Sequence, residues 1–245
     1  MRPYAILILI TITFGFFSCA TSGTGFQIPT SVSDAVLNNV PLTEAEVAGG
    51  LKEALSVGIT KGATTASQTD GYYKNSLIRI PFPSEVKRVE SSLRTIGMGS
   101  LVDDFVLSLN RAAEDAAQSA KPIFIDAIKK LTIKDVWEIL TGGKDAATQY
   151  LKRTTSDQLL VAFTPRIQTS LDKVNATKYY SDVMGAYNNL PLTQKVNPDL
   201  TGYATQKAID GLFTLVAQEE ANIRENPIAR TTQLLRRVFA KQDKP

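Results

Sequence analysis

Histidine is missing from all 245 residues of the chain. Its absence excludes Ser-His-Asp and Cys-His nucleophile systems, which need an imidazole to move the proton. With a single cysteine, Cys19, beside it, zinc sites of the usual His or Cys type are excluded as well, and no disulfide forms within one chain. A switch near neutral pH would have to use a perturbed carboxylate. Charge of one sign is also lacking: 27 Lys and Arg stand against 24 Asp and Glu. So small a surplus does not mark a nucleic-acid binder, and no acidic run marks a disordered tail. No long segment alternates with period two, as a half-buried strand would. Carboxylate chemistry, hard cations held by oxygen, Ser-Lys chemistry or no chemistry remain, and no cofactor is expected.

The lone cysteine is informative by its place. Met1 to Tyr4 gives a short positive start, and Ala5 to Phe17 is a run of apolar and small residues. The run is too short for a membrane-spanning helix, which needs roughly 20 apolar residues. It reads as a removable export signal over residues 1–18, with Cys19 becoming the lipidated first residue. Phe16-Phe17-Ser18-Cys19 resembles the bacterial lipobox, with Phe16 standing where Leu is usual. An ordinary secretory signal cut after Ala20 or Ser22 is the alternative. Ala20 is not acidic, and Thr21 to Gly25 carries no charge. By analogy with lipoprotein sorting signals, this leads us to expect an outer-membrane anchor facing the periplasm. Residues 19–42, rich in Ser, Thr, Gly, Asn and Pro after the cysteine, read as a flexible tether.

From Thr43 onward the pattern is helical, and the expectation is one all-α domain over residues 43–241 with about ten helices. Thr43-Glu44-Ala45-Glu46 forms a capping box, followed by Val47, Leu51, Ala54, Leu55 and Ile59 on one face. Gly58 and Gly62 predict a close approach by another helix. Asp70-Gly71 is a turn. Leu77 to Pro83, with Pro81 and Pro83, is a Pro-rich extended connector that packs Ile78, Ile80 and Phe82 onto helices. Ser84 opens a second helix with Val86, Val89, Leu93 and Ile96 inward, stopped at Gly97. Ser100 opens a third with Leu101, Phe105, Leu109, Ala112 and Ala116 in a stripe. Pro122 sits in the first turn of a fourth that carries Phe124, Ile128 and Leu131. Thr132 caps a fifth with Val136, Trp137 and Leu140 inward, ending at Thr141-Gly142-Gly143. Helix continues from Ala146 to Val174 with a break or kink near Pro165, then from Ala176 to Tyr187. Leu190-Pro191 is a connector, Asn197-Pro198 starts the longest helix, to about Arg224, and Asn226-Pro227 starts a last one to Ala240.

A string of motifs runs through this pattern: Gly50-Leu51-Lys52-Glu53-Ala54-Leu55, Asn110-Arg111-Ala112-Ala113-Glu114, Leu140-Thr141-Gly142-Gly143 with Ala146-Ala147-Thr148, and Ala176-Thr177-Lys178-Tyr179-Tyr180. Lys207 to Phe213, Glu219-Glu220, Ile223-Arg224, Pro227 and Ala229-Arg230-Thr231 close it. Together these resemble the bacterial family called domain of unknown function 4197, over about Glu46 to Phe239. The resemblance implies an exported bacterial protein and brings no activity, substrate or catalytic residue with it.

Four carboxylate and amide side chains are candidate ligand-binding residues. At helical steps of about 100°, Glu219 falls within the apolar face of Ile209, Leu212, Leu215, Val216 and Ile223, with Glu220 at its edge. A carboxylate there must be paired, hydrogen-bonded or protonated. It is either a structural ion pair, with Arg79, Arg111 or Arg230, or a functional acid in a pocket between helices. Asn110 and Glu114 lie one turn apart on a polar face with Asp103 and could share a ligand or cation; the plain alternative is a solvated face. Three oxygen-bearing residues are too few for a calcium cage, so no metal site is expected. Tyr179-Tyr180 with Tyr187, and Tyr72-Tyr73, could wall a sugar or lipid site, or be half-buried core residues with wet hydroxyls.

The expected role is a non-enzymatic lipoprotein that binds a small apolar or amphipathic ligand, or an envelope protein, and touches the membrane through Cys19. The enzymatic alternative is a peptidoglycan-acting lytic transglycosylase, because Glu90-Ser91 and Gly97-Met98-Gly99 resemble part of that pattern. Its Gly-Leu-Met-Gln run is absent. An envelope scaffold is the third reading.

Overall fold

The computed structural model describes residues 41–188 and 199–240, without the side chains of Glu85 and of residues 182–187. The export signal, Cys19, nearly all of the tether, the Leu190-Pro191 connector, the Asn197-Pro198 start and the Tyr187 side chain lie outside the described residues.

Nine α-helices and no strands are found among the described residues. In chain order they are α1 Glu44–Ser67, α2 Lys87–Thr95, α3 Gly99–Ala117, α4 Ala120–Lys129, α5 Ile133–Thr141, α6 Ala146–Asp172, α7 Ala176–Asn188, α8 Leu200–Glu225 and α9 Gln233–Ala240. Short 3-10 turns at Ser84–Val86 and Pro227–Ala229 precede α2 and α9. No helix among the described residues is long and apolar enough to cross a membrane.

The helix boundaries follow local chemistry. At α1, Glu46 N–H donates to Thr43 Oγ1 at 3.2 Å while Thr43 N–H donates to Glu46 Oε2 at 2.9 Å, the reciprocal capping box. Thr132 and Asp135 repeat it at α5. Asp199 caps α8 by accepting from Gly202 N–H. Gly97, at φ +84°, ends α2 in a left-handed turn that a side chain would strain.

α8 packs against α1, α3 and α6, and α3 packs against α1, α6 and α8. Around these four, α4 and α5 lie on α1 and α6, α7 on α6 and α8, and α9 on α1. Gly58 and Gly62 bring α1 onto α8: a Cβ on Gly58 would stand 3.3 Å from Glu219 Cβ, and one on Gly62 would stand 3.6 Å from Leu215 Cβ. The connector after α1 packs Tyr72, Ile78 and Ile80 into the core. Gly211 of α8 makes room for it, since a Cβ there would meet the Tyr72 ring at 2.8 Å.

Several expectations are corrected. Of the break or kink expected near Pro165, the break does not occur: Pro165 lies inside α6, at 27 residues the longest described helix. Losing one backbone bond costs about 3 kcal/mol, whereas Leu159, Phe163, Ile167 and Leu171 on both sides of it are wholly buried, each contributing about 1.5–3 kcal/mol. Trp137 is exposed, because α5 buries Val136, Ile139 and Leu140 instead. The last helix begins at Gln233, after the Pro227–Ala229 turn rather than at it. No residue of α2 is buried: Val86 reaches the core from the 3-10 turn, Val89 and Leu93 are half-buried, and Ile96 is exposed. In α3 the core stripe runs through Val102, Val106, Leu109, Ala113 and Ala116, while Leu101 is exposed and Phe105 half-buried.

Candidate functional site

The two carboxylate clusters singled out in the sequence are tied to the chain's own backbone. On α3, Glu114 Oε1 accepts from the N–H groups of Tyr72 at 3.1 Å and Tyr73 at 3.2 Å, and Oε2 accepts from Arg111 at 2.6 Å. Arg111 continues to Asp70 at 2.6 Å, and its guanidinium lies over the Tyr73 ring. One turn earlier, Asn110 accepts from Ile80 N–H and donates to the Ile80 carbonyl, both at 2.8 Å. Asn110 and Glu114 are therefore buried rather than a solvated face. They hold the irregular connector in place and satisfy backbone groups that would otherwise be buried alone. The Tyr72 hydroxyl completes the seam by donating to the Ala208 carbonyl of α8.

On α8 the expected arrangement is reversed: Glu220 is buried and Glu219 reaches the surface. Glu219 pairs with Lys61 of α1 at 2.8 Å, and not with Arg79, Arg111 or Arg230. Gly58 leaves the lane along α1 through which its side chain passes. Glu220 points at the start of α6. It accepts from Ala147 N–H at 2.9 Å, Thr148 N–H at 2.8 Å and the Thr148 hydroxyl at 2.7 Å, and Arg224 joins it from one turn on. Arg224 also donates to the Ile139 carbonyl of α5. A carboxylate from α8 thus caps α6, where free N–H groups and the helix dipole favour negative charge. Arg230 caps the C-terminal end of α8 itself, donating to the carbonyls of Ile223 and Arg224. The cavity beside Glu220 holds only about 20 Å³, about the room that one water needs.

Room for a ligand lies elsewhere, in an apolar groove of about 620 Å³. Pockets of roughly 300–1,000 Å³ suit small molecules. One side is α2 with Val89 and Leu93; the floor is α3 with Leu101, Asp104, Phe105 and Ser108; the far side is Val174 and, from α7, Ala176, Tyr179 and Tyr180. Residues 101, 104, 105 and 108 share one face of α3 by their spacing. The rings of Phe82, Phe105 and Tyr180 line up along the wall, with centroids 5.1 Å and 6.0 Å apart. Of the twelve exposed large hydrophobic side chains among the described residues, four (Met98, Leu101, Val174 and Tyr179) line this groove. Such clustering marks a binding surface, whereas single exposed apolar residues do not.

The groove explains the unburied stripe of α2: among the described residues, its apolar face looks onto open space. Of the aromatic residues singled out in the sequence, Tyr179 and Tyr180 line the groove, while Tyr72 is sealed in the core. Asp104 and Met98 were not among the sequence candidates. The available signal was the second apolar face of α3, through Leu101 and Phe105, and a methionine set between Gly97 and Gly99. Glu90, the residue of the transglycosylase reading, does not line the groove and is held by Arg94 at 3.1 Å. Its neighbour Ser91 donates to the Lys87 carbonyl within its own helix.

No match was found among curated proteins or solved structures. A family model described as "Protein of unknown function (DUF4197)" matches residues 41–240, which span every described helix. The chain belongs to that family.

Proposed function

We propose that this protein is an exported, lipid-anchored binding protein that takes a small apolar or amphipathic molecule into the groove between α2, α3 and α7. The observation that carries the reading is the groove itself, about 620 Å³ lined almost wholly by apolar side chains. Burying such surface around a ligand contributes about 25 cal/mol per Å². The two carboxylate clusters are occupied by backbone donors, and the groove gathers four exposed large apolar side chains, whereas the cavities beside Trp137 and Val57 hold one each. The export signal and Cys19 support an anchor on the periplasmic face of the outer membrane, with residues 20–42 as the tether.

Binding is tested with the mature chain from residue 20, using N-phenyl-1-naphthylamine, whose fluorescence rises in apolar sites. The expected result is saturable binding that Leu101→Asp abolishes with little change in melting temperature, since Leu101 is exposed. Equal binding by the variant rejects the groove. The anchor is tested by fractionating cells that express Cys19→Ser: release from the membrane fraction is expected, and retention rejects lipidation at Cys19.

A further inference from the structure

The polar atoms of the groove are unevenly chosen. Asp104 is its one charged lining residue, and among the described residues it has no ion-pair partner, whereas neighbouring Asp103 is paired with Arg94 at 2.8 Å. The Ser108 hydroxyl donates to the Phe105 carbonyl at 2.7 Å and presents only oxygen lone pairs to the groove. Among the described residues, no lysine or arginine lines the groove. The start of α7, where free N–H groups would otherwise attract an anion, already has a carboxylate beside it. Asp172 accepts from Thr177, and that bond, with a second from Gln168, holds its carboxyl below the usual range. The groove therefore offers aromatic faces, aliphatic walls and the hydroxyl-bearing Tyr179 and Tyr180, with a carboxylate as its one charge, in the middle of the α3 floor.

Resting on the groove as the binding site, we propose that its ligand is a single-chain amphiphile with a cationic, hydrogen-bond-donating head, a primary ammonium, and that Asp104 sets this preference. The chain lies against Leu93, Leu101 and Phe105, and the head meets Asp104 and the Ser108 oxygen. A carboxylate or phosphate head would face the like charge of Asp104, with no lysine or arginine among the described lining residues to match it. An uncharged head loses only the ionic part.

The test is displacement of N-phenyl-1-naphthylamine from the mature chain by dodecylammonium, dodecyl maltoside and dodecanoate, each below its micelle concentration at neutral pH. Dodecylammonium is expected to displace the probe at concentrations roughly tenfold lower than dodecanoate, the scale of one attraction exchanged for one repulsion at a partly exposed site. Dodecyl maltoside should fall between them. Asp104→Asn, an exposed position on α3, should bring the three together while leaving the maltoside unchanged. Dodecanoate binding as tightly as dodecylammonium to the unaltered chain would overturn the head-group preference, as would an unchanged order in Asp104→Asn. Absence of probe binding would instead remove the groove itself as the site, and the preference with it.

Discussion

At the scale of single residues, Glu219 and Glu220 differ by one position and do unlike work. Glu220 closes the N-terminus of α6 from another helix; Glu219 makes one ion pair with Lys61, most of whose side chain is in water. Removing one partner of a buried ionic cluster costs about 3–5 kcal/mol, because the remaining groups stay buried and unmatched. Losing a pair whose lysine lies mostly in water, as Lys61 does, costs about 0–1 kcal/mol. Urea denaturation should therefore show Glu220→Ala strongly destabilised and Glu219→Ala nearly unchanged; similar midpoints for the two would refute the capping role. The sequence could not separate the pair. Rotation by 100° per residue puts Glu219 in the apolar stripe, and only the donors of Ala147 and Thr148, over 70 positions away, select Glu220. Asn110 and Glu114 were misread for the same reason. Their partners are backbone groups of a connector whose path no local pattern specifies.

At the scale of elements, periodicity located the helices and often their buried face. Val47, Leu51, Ala54, Leu55 and Ile59 of α1 are all buried as expected, and so are Phe124, Ile128 and Leu131. Caps at Thr43 and Thr132 and the stop at Gly97 were legible because they depend on neighbours within three or four residues. Reading failed where an apolar face has no helix opposite it. Val89, Leu93, Leu101 and Phe105 form good stripes, and a stripe in sequence does not say whether it meets a core or an empty groove. Thus the groove was written in the sequence as two ordinary helices, and only their mutual placement shows that a groove lies between them. Pro165 marks the opposite limit, where packing overrides a strong local signal.

At the scale of the whole molecule, the absence of histidine shapes the response to pH. Nothing on any side chain in this sequence ordinarily titrates between pH 5 and 8. The groups that do matter are carboxyls held below their usual range. Hydrogen bonds from the Thr43 backbone and hydroxyl, then from Arg237, hold Glu46 down; Lys74 and Arg111 do so for Asp70; the Thr132 hydroxyl and backbone do so for Asp135. A carboxyl whose folded pKa is depressed contributes stability above its unfolded pKa, and that contribution is lost as pH falls through the folded value. Melting temperature should be nearly flat from about pH 6 to 8 and should decline below about pH 4. A step near pH 6.5 would contradict this account.

The place of α8 in the chain has a consequence for how the protein is made. This helix lies against α1, α3 and α6, all of which are synthesised before it. Before it arrives, the Tyr72 hydroxyl has no Ala208 carbonyl to meet, the start of α6 has no Glu220, and α1 has nothing at its glycine face. A nascent chain that ends before residue 200 carries most of the hydrophobic helices without the one that joins them. Such a chain cannot close its core early, because its contacts span most of its length. Closure of the core thus waits for α8, and the helices made before it stay open until it arrives.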